Sequence, residues 1–265
     1  MSCPPSRRPR PIRSARRSCS WRSCSCLWAG RSSRWFTTPS ATGGDGVLRG
    51  VGLTKSYTVK GRPKVVLDAL DFELPTGVSL GLLGRNGAGK STLLSILSGA
   101  IRPDAGEVVS DGTVSWPVGL RAAFHKDMTG VQNVRFVARV YGVESDELVE
   151  YVRHFSELGD HFYMPFKTYS SGMRSRISFG TALGLHFDTY LVDEVTAVGD
   201  AAFKRKSRAV LRDRLARSSA IMVSHNMAEL REICDAGLVL ADGKGLWFDD
   251  IDAAIDHHEG LMARR

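Results

Sequence analysis

From Val47 onward apolar positions recur with a period of two: Val47 to Leu53, Val65 to Leu67, then Leu70, Phe72 and Leu74 before the turn Pro75-Thr76-Gly77. Alternating side chains stand on opposite faces of a strand, so this stretch predicts a small antiparallel sheet. Gly106 to Ser110 and Thr113 to Trp116 flank Asp111-Gly112, a hairpin signal that would add two strands to it. The period then turns helical. Val134, Val137 and Tyr141 share one helix face, and Leu148, Tyr151, Val152, Phe155 and Leu158 share another, with Ser145 as N-cap and Asp146 and Glu147 in the first turn. These helices form an insertion over about residues 121–186. Beyond it short apolar strands at Tyr190 to Val192, Ala220 to Val223 and Leu238 to Leu240 alternate with helices at Ala201 to Leu215 and Ala228 to Cys234. A turn at Asp242-Gly243, a strand from Leu246 to Phe248 and an amphipathic helix through Ile251 and Ile255 close the pattern. Alternation of this kind predicts an α/β fold with a parallel sheet under helical cover.

One turn in this pattern carries chemistry. The apolar run Val78 to Leu83 ends in Gly84-Arg85-Asn86-Gly87-Ala88-Gly89-Lys90-Ser91-Thr92 and feeds the helical run Leu93 to Leu97. A strand, a Gly-rich turn and a helix N-terminus in that order aim several backbone N–H groups at one point, which suits nucleotide phosphates. Lys90 can reach the terminal phosphates and Ser91 can hold Mg²⁺. A chance Gly-rich turn would not carry the full spacing with Lys-Ser-Thr at its end.

Asp193-Glu194 sits where the strand Tyr190-Leu191-Val192 ends, the edge at which an open parallel sheet presents ligands. Asp193 would hold Mg²⁺, directly or through water, while Glu194 would orient and deprotonate the water that attacks the γ-phosphate. Ser224-His225 ends the next strand on the same rim, where His225 can contact the γ-phosphate and that water.

Composition changes this picture mainly at the N-terminus. Of 265 residues, 36 are basic and 28 acidic. Nine arginines against Asp45 alone fall in residues 1–46, which leaves 27 of each sign for residues 47–265. The high isoelectric point is thus a property of the tail, and no nucleic-acid-binding face is expected on the neutral body. Residues 1–46 lack a hydrophobic period and are expected to be disordered. They read as a lipid-attracted basic arm, as an RNA-binding arm, or as upstream sequence translated from a misplaced start, the third being favoured. Four of the five cysteines lie in the tail; Cys234, alone in the body, is expected to be a small core residue rather than part of a disulfide or zinc site. No apolar run approaches the roughly 20 residues that span a bilayer.

The order of Gly84 to Thr92, Tyr169-Ser170-Ser171-Gly172-Met173, Leu191-Val192-Asp193-Glu194, Ala197-Val198-Gly199-Asp200 and His225 resembles an ATP-binding-cassette (ABC) transporter ATPase over about residues 47–248. That resemblance implies a P-loop NTPase with a RecA-like core, a small antiparallel β subdomain and a helical insertion. It also implies a head-to-tail homodimer, each ATP being held by the phosphate loop of one subunit and by Ser170, Ser171 and Gly172 of the other. The last segment departs from the family's Leu-Ser-Gly-Gly-Gln at Tyr169, Ser171 and Met173, while Ser170 and the N–H groups of a helix starting near Met173 could still bind phosphate. Asp200 matches the acidic residue that crosses the dimer interface, and Tyr57 falls where the family stacks an aromatic ring on adenine.

Within the family, Ser115 to Leu120, Tyr169 to Arg176 and Val192 to Asp200, with Val195 in place of Pro, are similar to the ATPase subunit of capsular polysaccharide exporters. The resemblance implies a separate membrane permease and a peripheral position on the cytoplasmic face of the inner membrane. O-antigen or teichoic-acid export is the nearest alternative; a soluble regulatory or translation ATPase and a nucleic-acid-binding protein rank lower. His125 stands where the family carries a Gln that links Mg²⁺ to the helical insertion, and Gln132 lies too far along to replace it without a shift.

Overall fold

In the computed structural model, residues 46–59, 61–118, 124–193 and 201–263 are described. The tail, Glu194 to Asp200, and with them the expectations for disorder, for Glu194 and for Asp200, lie outside these residues.

Two sheets divide the strands. Strands β1 (Gly46–Val59), β2 (Arg62–Pro75) and β4 (Ala105–Ser110) form an antiparallel sheet in the order β2-β1-β4. The two apolar patches expected between Val65 and Leu74 are one strand, continued through Ala69 at a positive φ of 46°. Strands β3 (Ser79–Gly84), β5 (Thr189–Asp193), β6 (Ser219–Val223), β7 (Ala236–Ala241) and β8 (Lys244–Phe248) make the second sheet, ordered β5-β6-β3-β7-β8, parallel except for the β7–β8 hairpin.

The two-residue period of the central strands sorts their side chains into two cores. Leu80 and Leu82 of β3, Leu191 of β5, Ile221 and Val223 of β6 and Leu238 and Leu240 of β7 face one way. There they meet Leu93, Leu94, Ile96 and Leu97 of helix α1 (Lys90–Leu97), which in turn packs under Leu48, Leu53, Leu67, Leu70 and Leu74 of the antiparallel sheet. Tyr190, Val192, Ala220, Met222 and Val239 face the opposite core. That core takes in helices α2 (Gly130–Tyr141), α3 (Ser145–Ser156) and α4 (Ser171–Gly184), helices α5 (Ala201–Leu215) and α6 (Met227–Ile233), and helix α7 (Ile251–Ala263). Cys234 is buried among these apolar groups, which push its thiol up to about 12.

Three local expectations need correction. Asp111-Gly112 does not turn a hairpin. Asp188 accepts from the Thr113 N–H and hydroxyl, at 2.7 and 2.8 Å, and occupies the space a hairpin partner would need beside Gly112. The chain therefore leaves the antiparallel sheet, and Val114 and Val118 form parallel bridges with Thr189 and Val192 along the outer edge of β5. Ser145 is the first residue of α3 rather than its cap; Glu144 takes that position without a side-chain bond, and Leu158 follows the end of the helix. The helix expected near Met173 begins at Ser171, because the Ser170 hydroxyl caps it by accepting from Met173 N–H.

Candidate functional site

β3 delivers the chain to the phosphate loop from the middle of a sheet buried on both faces, which fixes where the loop begins. Two glycines set its path. Gly84 has φ of 147°, and a Cβ there would lie 2.7 Å from the Leu240 carbonyl oxygen. Gly89 has φ of 107° as N-cap of α1, and a Cβ there would lie 2.8 Å from Val66. Lys90 is thereby placed in the first turn of α1. Its ammonium donates back to the carbonyls of Gly84 at 2.5 Å and Arg85 at 3.1 Å, so the cation is held across the loop.

Around this loop an open cavity of about 500 Å³ is lined by Tyr57, Val59, Lys64, Val66, Asn86, Gly87, Gly89, Lys90, Ser91, Thr92, Asp193 and Val223. The structure therefore brings Tyr57 of the antiparallel sheet, the loop, the Ser91 and Thr92 hydroxyls and the Asp193 carboxylate to one volume. Tyr57 stands at the cavity edge with Lys55 Nζ 5.8 Å from its ring centroid. Asp104 accepts from Lys55 Nζ at 2.7 Å and from the Ser56 N–H and hydroxyl at 2.7 and 2.9 Å. These bonds anchor the strand segment that presents Tyr57 and hold the Asp104 carboxyl down to about 2.

Arg85 and Ala88 line a second cavity of about 380 Å³ on the flank of the loop, with Asn86, Gly87, the Leu240–Gly243 turn and His258 of α7. His258 escaped the sequence reading. It lies on the stripe of Ile251 and Ile255, three residues beyond the latter, so its burial was legible in the helical period; its closeness to the loop was not. Burial, and then the charge of Lys90, hold its pKa below the ordinary histidine value. Lys64 and Val66 were missed as well, and no sequence signal marks them.

Other expected residues stand away from the main cavity. His225 follows β6 on the same rim, in a turn pinned by Ser224, whose hydroxyl donates to the buried Glu229 carboxylate at 2.8 Å and accepts from Asn226 N–H at 3.1 Å. Ser170, Ser171 and Gly172 form the start of α4. His125 is exposed in the loop before α2, its backbone N–H donating to Asn133 Oδ1 at 2.7 Å. Gln132 is already committed: its side chain accepts from Thr129 N–H at 2.9 Å in a capping box on α2, so it is not available in place of His125.

The ABC transporter family model matches residues 67–197, a span that runs from the antiparallel sheet through the phosphate loop to the segment after Asp193. The chain is 47% identical over 211 residues to a polysialic acid transport ATP-binding protein, KpsT, of Escherichia coli, covering 94% of it and 78% of the present chain. This chain belongs to the ABC transporter family. It is also 39% identical to the capsule polysaccharide export ATP-binding protein CtrD of Neisseria meningitidis, covering 97% of that relative and 79% of itself. A solved dimeric ATP-binding cassette, MJ0796 with ADP and Pi bound, matches in fold with a TM-score of 0.66 at 18% identity, over 77% of this chain and 98% of that one. ABC ATPase architecture, with its antiparallel sheet beside a parallel core, is thus common to both. Among the described residues no helix is long and apolar enough to cross a membrane.

Proposed function

We propose that residues 47–265 are the ATP-hydrolysing subunit of an ABC exporter that powers passage of a capsular polysaccharide through a separate membrane permease, from a peripheral position on the cytoplasmic face of the inner membrane. The observation that carries the ATP chemistry is the single cavity in which Lys90, Ser91 and Asp193 meet under Tyr57. The glycan class rests on the relatives, KpsT and CtrD, whose names state polysialic acid transport and capsule polysaccharide export.

In this reading the N–H groups of the loop and Lys90 cradle the β- and γ-phosphates, and Tyr57 stacks on adenine. Ser91 and Asp193 present a hydroxyl and a carboxylate to the same volume, hard oxygen donors that fit Mg²⁺. When bound, that ion neutralises charge on the phosphate oxygens. Glu194, one residue beyond Asp193, orients and deprotonates the attacking water, and His225 on the neighbouring strand end contacts the γ-phosphate and that water. The partner subunit's Ser170, with Ser171 and Gly172, closes over the γ-phosphate, and Asp200 reaches across the interface. The dimeric state of the fold neighbour supports this arrangement. ATP then supplies the contacts that close the dimer and hydrolysis removes them.

The test is Glu194→Gln. It should bind ATP, remain dimeric in its presence and lose turnover by about a thousandfold. Ordinary hydrolysis by that variant would remove Glu194 from its role, and absence of ATP binding by the unsubstituted chain would overturn the reading. Recovery of a multi-spanning permease with the subunit from membranes, and loss of surface capsule when Glu194→Gln replaces it, would test the transport assignment.

A further inference from the structure

Asn133 is 1% exposed in a core built mainly from apolar side chains, and its whole hydrogen-bonding capacity is directed at one loop. Its Oδ1 accepts from His125 N–H at 2.7 Å. Its Nδ2 donates to the carbonyls of His125 at 3.1 Å, Met128 at 3.3 Å and Thr129 at 3.0 Å. The amide thus closes His125 to Thr129 into a ring over the N-terminus of α2. The same loop is bonded across to the segment that leads into α4: Phe166 N–H donates to the Met128 carbonyl at 2.8 Å, and Lys167 N–H donates to that of Lys126 at 2.7 Å. Thr129 and Pro165 form an antiparallel bridge, and Lys167 Nζ pairs with Asp127 at 3.1 Å. Phe166 also lies edge-on to Phe124, with ring centroids 5.2 Å apart, and Arg174 of α4 donates to the Lys167 carbonyl at 3.0 Å. An unbroken run of bonds therefore joins His125 to Ser170.

We infer that Asn133 is a positioning residue that clasps the His125 loop to the segment carrying Ser170, so that these two pieces travel as one body when the nucleotide site closes. The inference rests on the reading of Ser170 as the half of the site offered to a partner subunit. A purely structural asparagine would stabilise α2 alone; this one makes all four of its side-chain bonds to residues before the helix, in the loop that is itself tied to Pro165, Phe166 and Lys167. Side-chain networks of this kind, fully satisfied and buried, specify one arrangement of the segments they join.

Asn133→Asp keeps the volume and the oxygen that accepts from His125 N–H, while facing three carbonyls with lone pairs instead of amide protons. Measured on the full chain, it should leave the affinity of the monomer for a non-hydrolysable ATP analogue within about twofold and lower kcat about tenfold. A kcat within about twofold of the unsubstituted chain overturns the inference, as does a parallel fall of affinity, kcat and thermal midpoint. A second measurement covers a variant that folds poorly. Cysteines at Asp127→Cys and Lys167→Cys, with the native cysteines replaced by alanine, should be joined by a short thiol cross-linker at the same rate with and without the ATP analogue, and the joined protein should retain hydrolysis. Loss of hydrolysis on joining, or a rate that nucleotide changes about tenfold, overturns the inference. Asn133→Asp should slow the same cross-linking about tenfold, and this readout needs no ATPase activity. Failure of the functional reading, seen as no ATP binding by the unsubstituted chain, is therefore distinguishable from failure of the clasp, seen as a rate that Asn133→Asp leaves unchanged.

Discussion

At the loop from Gly84 to Thr92 the cavity is lined by backbone, the Lys90 side chain and the Ser91 and Thr92 hydroxyls, held between a strand buried on both faces and the first turn of α1. At the start of α4, the half proposed to meet a partner's nucleotide, Ser170 Oγ accepts from Met173 N–H at 3.2 Å and so caps its own helix. The first region is built by its own sequence, since Gly84 and Gly89 shape the loop and Lys90 bonds back onto it. The second borrows its placement from a distance, through Asn133 and the Phe166 and Lys167 cross-bonds. If the two regions are the halves of one nucleotide site, as proposed above, nucleotide binds to one half and is acted on only when the other arrives, so substitutions on the two sides should fail differently.

The largest effect is expected at Lys90. Lys90→Ala removes the charge-assisted contact to the terminal phosphates and the cation that ties the loop to Gly84, and affinity for ATP should fall at least a hundredfold, about 3 kcal/mol. Isothermal titration of the monomer measures it directly. An affinity within about threefold of the unsubstituted chain would break the comparison at its stronger side, because the loop would then hold phosphate by backbone alone.

Ser170 gives a smaller and differently distributed loss. Ser170→Ala removes the α4 cap, about 1 kcal/mol of stability, and also the hydroxyl offered to a partner's γ-phosphate. Ser170→Asp separates the two, because aspartate caps as well as serine but opposes a phosphate with negative charge. Thermal unfolding of Ser170→Asp should match the unsubstituted chain within about 1 kcal/mol, and monomer affinity for ATP should be unchanged, while ATP-dependent dimerisation and turnover fall about a hundredfold. If turnover survives Ser170→Asp, the start of α4 does not face phosphate and the two regions are not halves of one site.

How much could be seen in advance follows the same division. The loop, the strand before it and the helix after it were legible because each is fixed by neighbours within a few residues: glycine at positive φ, a buried apolar run, a 3.6-residue period. The central strands were legible for a related reason, since residues buried on both faces read as continuous apolar runs whatever they pair with. The Asp111-Gly112 turn misled because its local chemistry favours a hairpin, while the route of the chain is decided by Asp188, 75 residues away, bonding Thr113. The start of α4 was displaced for a local reason that lacks a strong pattern: Ser170 and Ser171 are equally good caps by type, and only the bond to Met173 N–H chooses between them. Asn133 and His258 are polar residues inside helical stripes, where the period reports burial and says nothing about partners.

The smallest expected effect lies at the edge of the loop half, where Tyr57 is held by a surface bond network rather than by the core. Asp104 accepts three bonds from Lys55 and Ser56, and the side-chain bond from Lys55 is the main reason that its carboxyl titrates near 2 instead of near 3.8. A carboxyl whose folded pKa is depressed stabilises the native state above the unfolded value and loses that contribution as pH falls through the folded one. The window is therefore about pH 4 to 2, where the unfolded chain takes up a proton that the folded chain still refuses. Asp104→Asn cannot titrate, so its stability should vary less steeply with pH across that window, by up to about one proton in linkage analysis of denaturant unfolding. At neutral pH the same variant should weaken ATP binding by only about twofold, because the strand end carrying Tyr57 loosens while Lys90 and the loop are untouched. A drop comparable with that of Lys90→Ala would mean that the adenine edge, and not the phosphate loop, governs affinity, which would reverse the order in which the two sides of this cavity matter.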